Sequence, residues 1–155
     1  MTMAKYDGVT LDLYKQIEAV STKLRKWKKF QPSLLELAKR NVETLAEIYL
    51  YEKDWEAAIG LAHRNTRYEQ LQVLVADGVK EHHPEKSIKI YQKLVQHYID
   101  MKSREHYRTA ARYASDIKSI YLSILDDKDA WQRYIDGVRK RYPRHPALQD
   151  EFRGL

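Results

Sequence analysis

The stretch LAEIYLYEKDWEAAIGLAHR, residues 45–64, decides the fold that the sequence predicts. Its apolar residues recur three and four positions apart on both sides of the dipeptide Lys53-Asp54, a spacing that places them on one face of a helix. Asp54 can cap the second helix through its side chain. Because the connection is so short, the two helices are expected to run antiparallel. The stretch therefore predicts a helix hairpin.

The same spacing continues through the rest of the chain and predicts an all-α protein. A leading helix is expected over residues 9–30, ending before Pro32, and a second helix from Ser33 to about Glu52. Stacked helix pairs are expected over residues 34–155. The whole chain would then contain about seven longer helices and a short C-terminal one.

The leading helix carries an apolar stripe formed by Leu13, Ile17, Val20, Leu24 and Trp27. Spacings of four, three, four and three residues put all of them on one side of a helix. This side is expected to pack into the core.

The helix pairs recur at a near-constant distance. They begin near residues 34, 67 and 104, which gives spacings of 33 and 37 residues. These values are close to the ~34 residues of a tetratricopeptide repeat. Regular pairs joined by tight turns favour a stacked array of hairpins, and an ordinary helix bundle is the alternative.

Residues within the opening stretch match the tetratricopeptide pattern more closely. Leu45, Ala46, Tyr49 and Ala58 stand where that repeat places leucine, glycine, tyrosine and alanine, and Val42 stands in the tryptophan place. The chain therefore resembles a tetratricopeptide-like array of antiparallel helix hairpins. This resemblance implies a scaffold for protein-protein interaction.

The C-terminal half, from about Pro84, resembles the helical region at the C-terminal end of bacterial SWIM zinc-finger proteins. The residues that carry this resemblance are Pro84-Glu85, Ile90-Tyr91, Leu94, 107–113, Ile120-Tyr121, 131–134, 139–142 and 146–148. The zinc finger itself requires cysteines, and this chain contains none, so metal binding does not carry over. The resemblance implies an interaction scaffold, either the accessory module of a larger SWIM-type protein or a free-standing relative.

Composition sets the class of protein. The chain has 155 residues, of which 43% are hydrophobic and 32% are charged, with few glycines and prolines. This profile predicts a single helical domain over residues 1–155, with residues 1–8 flexible. No segment reaches the ~18 consecutive apolar residues of a membrane span, and the first residues do not resemble a signal peptide. A cytoplasmic protein without membrane contact is expected.

No motif of enzymatic chemistry is present. The sequence lacks a nucleophile elbow, a phosphate-binding loop, a paired-histidine zinc motif and a dinucleotide fingerprint. His82-His83 lies near Glu81 and Glu85, but adjacent histidines point to different sides of a helix, so a solvated helix end is favoured over a metal site. We expect no catalytic residues, no cofactor, no metal and no small-molecule substrate.

Two kinds of partner contact are predicted from the surface residues. Tyr51 and Tyr113 lie off the apolar stripes and are candidates for contact with a protein partner. Nucleic acid is the alternative partner, and a net charge of +6 allows weak binding through basic helix faces. The candidate nucleic-acid contacts are Lys23, Arg25, Lys26, Lys28, Lys29, Arg139, Lys140 and Arg141.

Overall fold

The computed structural model describes residues 8–155, and these form helices and connections without a strand. The expectation of flexibility was made for residues 1–8, and residues 1–7 lie outside this range. The all-α prediction is confirmed. Over the described residues the helices are α1 Leu11–Lys23, α2 Trp27–Ala38, α3 Val42–Tyr51, α4 Trp55–Arg64, α5 Glu69–Val79, α6 Pro84–Asp100, α7 Arg104–Ser119, a π-helical turn Ile120–Ile124 that continues α7, α8 Lys128–Arg141 and α9 Pro146–Phe152.

The chain forms two compact units, Met1–Leu74 and Val75–Leu155. The first contains α1 to α4 and the start of α5, and the second contains the end of α5 and all later helices. Each unit is described by itself below.

The predicted leading helix over residues 9–30 is two helices. Leu24 ends α1, and Arg25 adopts a left-handed backbone conformation with φ 56°. The chain then turns, Lys26 precedes α2, and Pro32 lies inside that helix. Pro32 is the sixth residue of α2, so one backbone hydrogen bond is missing inside the helix. The helix nevertheless continues through it, and the prediction that Pro32 separates two helices is wrong.

The predicted second helix from Ser33 to about Glu52 is also divided. It consists of the end of α2 and all of α3, which Asn41 caps by accepting hydrogen bonds from the backbone N–H groups of Glu43 and Thr44. An asparagine in extended conformation favours the start of a new helix at this point.

The predicted hairpin over residues 45–64 is confirmed as the pair α3 and α4. Asp54 caps α4 by accepting a hydrogen bond from the backbone N–H of Ala57 at 3.2 Å, and Lys53 makes the turn with φ 59°. Ala46 and Ala58 are completely buried. Both alanines therefore belong to the core of the first unit.

The core of the first unit does not use the predicted α1 stripe. Tyr14 and Ser21 are the buried residues of α1, whereas Val20 and Leu24 are 60% and 61% exposed. The expectation that the stripe packs into the core is therefore wrong for these two residues. Because α1 ends at Lys23 and α2 folds back, the interior contacts a neighbouring face of α1.

The second unit is built around α6 and α7. Ile88, Val95 and Ile117 are buried on these helices, and the Ser87 hydroxyl donates a buried hydrogen bond to the Ala76 carbonyl at 2.6 Å. The expected short C-terminal helix is present as α9, which buries Phe152.

Candidate functional site

Helices α1 and α2 leave an open apolar groove on the surface of the first unit. Its volume is about 490 Å³, and Val20, Leu24 and Phe30 in its walls are 60%, 61% and 43% exposed. The residues that line this α1–α2 groove are Leu13, Gln16, Ile17, Val20, Ser21, Leu24, Phe30, Ser33 and Leu34.

The α1–α2 groove has the character of a docking surface for apolar side chains. None of its lining residues carries a charge, so it offers neither a general acid nor a general base. Leu37 lies one helical turn beyond Leu34 on α2 and is also strongly exposed. Contiguous exposed apolar residues of this kind mark binding surfaces, whereas isolated ones are ordinary.

Five cations gather where α1 ends and α2 begins, and we call this segment the basic turn: Lys23, Arg25, Lys26, Lys28 and Lys29. All are exposed. The first turn of α2 contains no acidic residue, so its lysines face the positive end of the helix dipole, an unfavourable arrangement that an anionic partner would relieve. The basic turn borders the α1–α2 groove. Leu24 lies within this segment and Phe30 directly follows it, and both side chains line the groove.

The second basic cluster is largely engaged in internal contacts. Arg139 donates a hydrogen bond from Nη2 to the Phe152 carbonyl at 2.8 Å, and Arg141 donates from Nη1 to Gln96 Oε1 at 3.1 Å. Lys140 is exposed. The two arginines thus connect α8 to α9 and to α6. These internal contacts account for both side chains without a phosphate ligand.

The two tyrosines proposed as partner contacts lie in different surroundings. Tyr51 is 41% exposed, and its hydroxyl donates a hydrogen bond to Glu18 Oε2 at 2.7 Å, which raises the pKa of the phenol. Tyr113 is only 5% exposed, so the expectation of an exposed contact is wrong for it. Its ring packs against those of Tyr91 and Tyr98, with ring centroids 6.0 and 5.9 Å apart.

A second concave site, which sequence reasoning missed, lies in the other unit beside the π-helical turn. We call it the π-turn pocket, and its volume is about 130 Å³. It brings together residues from α5 and the segment after it, from α6, and from α7 with its π-helical continuation. They are Asp77, Lys80, Glu81, Tyr91, Asp116, Ser119, Ile120, Ser123 and Ile124.

The π-turn pocket is acidic. Lys80 pairs with Asp77 at 2.6 Å, and burial, followed by the nearby charge of Asp77, raises the pKa of the Asp116 carboxyl. Tyr91 is 3% exposed, and burial together with the Asp116 and Asp77 carboxylates raises the pKa of its phenol. No hydrogen bond contributes to this rise in the pKa of Tyr91.

The π-helical geometry explains why no local pattern indicated this pocket. Tyr121 and Ile124 continue the regular apolar spacing of α7 in the sequence, so the stripe predicts an uninterrupted α-helix. In the structure the Leu125 N–H bonds to the Ile120 carbonyl, five residues back, at 3.0 Å. The wider turn shifts the side chains that it carries, including Ser123, from the positions they would have in a regular α-helix.

No three histidine, cysteine, aspartate or glutamate side chains between residues 8 and 155 are grouped so that they could hold a metal ion. Within that range, too, every helix is too short or too polar to cross a membrane.

Comparison with known proteins gives one partial match. A segment of 69 residues, 44% of this chain, is 38% identical to part of the uncharacterized protein YwqB of Bacillus subtilis strain 168. The matched segment spans 13% of that protein. No family model matches this chain, and no solved structure matches it.

Proposed function

We propose that this chain is a non-catalytic helical scaffold that binds another protein through the α1–α2 groove. Its helix pairs would be arranged as in tetratricopeptide arrays, and it would serve as the accessory module of a SWIM-type protein. The observation that carries the proposal is the outward-facing apolar surface formed by Val20, Leu24 and Phe30. Exposing large apolar side chains to water is unfavourable, so a second surface that covers them gains stability.

The occupant that fits this groove is an amphipathic helix with acidic flanks. A groove between two helices accepts the apolar stripe of a third, whose residues at i, i+3, i+4 and i+7 face inward. The basic turn borders the groove with five exposed cations, which complement carboxylates on the edges of such a helix. The same cations would disfavour a helix with basic flanks.

The test uses a designed peptide helix with a leucine stripe and glutamate flanks. Its affinity is measured by fluorescence anisotropy and compared with that of a scrambled peptide of equal composition and of a peptide whose glutamates are replaced by lysines. We expect saturable binding of the first peptide alone.

A pair of matched variants assigns the binding to the groove. Leu24→Glu should weaken binding at least tenfold because it places a carboxylate in the apolar wall, whereas Met101→Glu, at another exposed apolar residue, should leave it unchanged. Thermal melts check that both variants fold. Equal binding of the scrambled peptide, or unchanged binding by Leu24→Glu, would contradict the proposal.

Nucleic-acid binding is the second candidate function, and the exposed basic turn is the observation that favours it. It ranks below protein binding because Arg139 and Arg141 of the other cluster already have internal partners. We expect any affinity for oligonucleotides to be weak and to be lost near ~150 mM salt, since phosphate contacts act through counterion release.

A salt titration decides between the two candidates. Binding of single-stranded and double-stranded oligonucleotides is compared for the natural chain and a variant with all five basic-turn residues changed to glutamine. Sub-micromolar affinity that survives ~150 mM salt and disappears in the variant would favour nucleic acid as the partner.

A further inference from the structure

We propose that the π-turn pocket binds a cationic alkyl group, that is, a primary ammonium or guanidinium at the end of a short hydrocarbon stem. The acidic side chains Asp77, Glu81 and Asp116, the Tyr91 hydroxyl and the π-turn residues converge on one concavity. This site lies in the second unit, so the inference is independent of the function proposed for the α1–α2 groove.

The size of the pocket limits the ligand. Its volume is about 130 Å³. Sites for nucleotides and other drug-sized ligands are larger, at roughly 300–1,000 Å³. The end of a lysine, arginine or polyamine chain fits this smaller space.

The polar groups suit a donor that carries positive charge. Asp77 has Lys80 as an ion-pair partner at 2.6 Å. The Asp116 carboxylate forms no such pair within residues 8–155, and the charges of Lys80 and Arg112 act on it only weakly enough that burial and Asp77 still raise its pKa. The Tyr91 side chain is 3% exposed and lines the same pocket, and no hydrogen bond contributes to the raised pKa of its phenol. Ammonium and guanidinium groups carry several N–H donors and no acceptor, so they can satisfy both oxygens at once.

The remaining wall suits a hydrocarbon stem. Ile120 and Ile124 line the pocket beside Ser119 and Ser123, so apolar contact is available next to the acidic groups. Lysine and arginine side chains combine an apolar stem with a charged end in this way. The π-helical turn places both isoleucines here, and such turns occur frequently at functional sites.

The experiment is a chemical-shift titration of the ¹⁵N-labelled chain. The cationic probe is N-acetyl-lysine N-methylamide, and the matched neutral control is N-acetyl-norleucine N-methylamide, which keeps the stem and lacks the ammonium. We expect saturable shifts of the amides of residues 116–124 with the lysine probe alone. Agmatine is titrated as a free cationic amine, and tighter binding of agmatine would indicate a free ligand rather than a protein side chain.

Variants test the assignment to the pocket. Asp116→Asn should weaken binding of the lysine probe about tenfold because it removes a charge-assisted hydrogen bond, whereas Glu105→Gln removes an exposed carboxylate elsewhere on α7 and should have no effect. Tyr91→Phe keeps the buried ring and should weaken binding severalfold, which provides a second test if Asp116→Asn folds poorly. Equal shifts with the norleucine probe, no saturable shift at the pocket, or unchanged affinity in both pocket variants would overturn the proposal.

Discussion

Tyr14 is the side chain through which α1 contacts both α2 and α3. It is completely buried, and its ring packs edge-on against Trp27 of α2 with 5.1 Å between the ring centroids. Its hydroxyl donates a hydrogen bond to Glu52 Oε1 at 2.8 Å and accepts one from Gln31 Nε2 at 3.2 Å. One residue thus combines the burial of an aromatic ring with a polar network that links three helical segments.

We expect Tyr14→Phe to lower the free energy of unfolding by about 1–2 kcal/mol, because a hydrogen bond to a carboxylate is lost while the ring remains. Urea denaturation followed by circular dichroism measures the change. Tyr68→Phe is the control, since Tyr68 is exposed and its change should stay within about 0.5 kcal/mol. Equal stability of Tyr14→Phe and the natural chain would show that the polar network contributes nothing.

Helix ends account for much of the local structure at the scale of elements. Thr10, Asn41, Asp54, Ser103 and Asp127 each accept a hydrogen bond from a backbone N–H in the first turn of the following helix. Several turns between helices contain a non-glycine residue with positive φ, and these residues are Arg25, Lys53, Lys102 and Asp126. The caps stabilise each helix start, whereas the left-handed residues cost conformational energy that glycine would avoid.

We expect Asn41→Ala to destabilise the first unit by about 1 kcal/mol, because the backbone N–H groups of Glu43 and Thr44 lose their acceptor. Asn41→Ser is the matched control, since serine caps helices about as well as asparagine and should change stability little. Denaturant unfolding of both variants provides the measurement. A serine variant as unstable as the alanine variant would contradict a capping role.

Tyrosines that are buried or half-buried occur in both compact units. Tyr14 is buried in the first unit, and in the second unit Tyr91 is buried and Tyr134 is half-buried. Burial is the main cause that raises the pKa of each phenol above its ordinary value. The folded chain therefore holds these protons more tightly than the unfolded chain does.

The consequence is a loss of stability in alkali. These tyrosines contribute fully to the free energy of unfolding below about pH 10, the pKa of tyrosine in an unfolded chain. That contribution is lost as the pH rises above this value. We expect the free energy of unfolding to fall by about 1 kcal/mol or more per pH unit between about pH 10 and 12. Urea denaturation at a series of pH values tests this, with tyrosinate absorbance as a second probe. Constant stability across that interval would contradict the assigned burial.

Local spacing was sufficient to determine the helical class of this protein and several of its elements, although it missed the breaks at Arg25 and Asn41 and the π-helical turn. The all-α class, the α3–α4 hairpin, the Asp54 cap and the short C-terminal helix all follow from residues within one or two helical turns of each other. Apolar periodicity and side-chain capping act over that range, so neighbouring residues carry the information. The same range explains why Tyr51 could be recognised as an exposed residue.

Tertiary structure alone decided which helix faces are buried and where the candidate sites lie. The chain turns back at Arg25, so Tyr14 enters the core while Val20 and Leu24 remain on the surface as walls of the α1–α2 groove. The burial of Tyr113 and the π-turn pocket likewise depend on contacts among α5, α6 and α7. A periodic stripe shows that a helix has an apolar face, but contacts between residues distant in the chain determine whether that face meets the protein interior or is left for a partner.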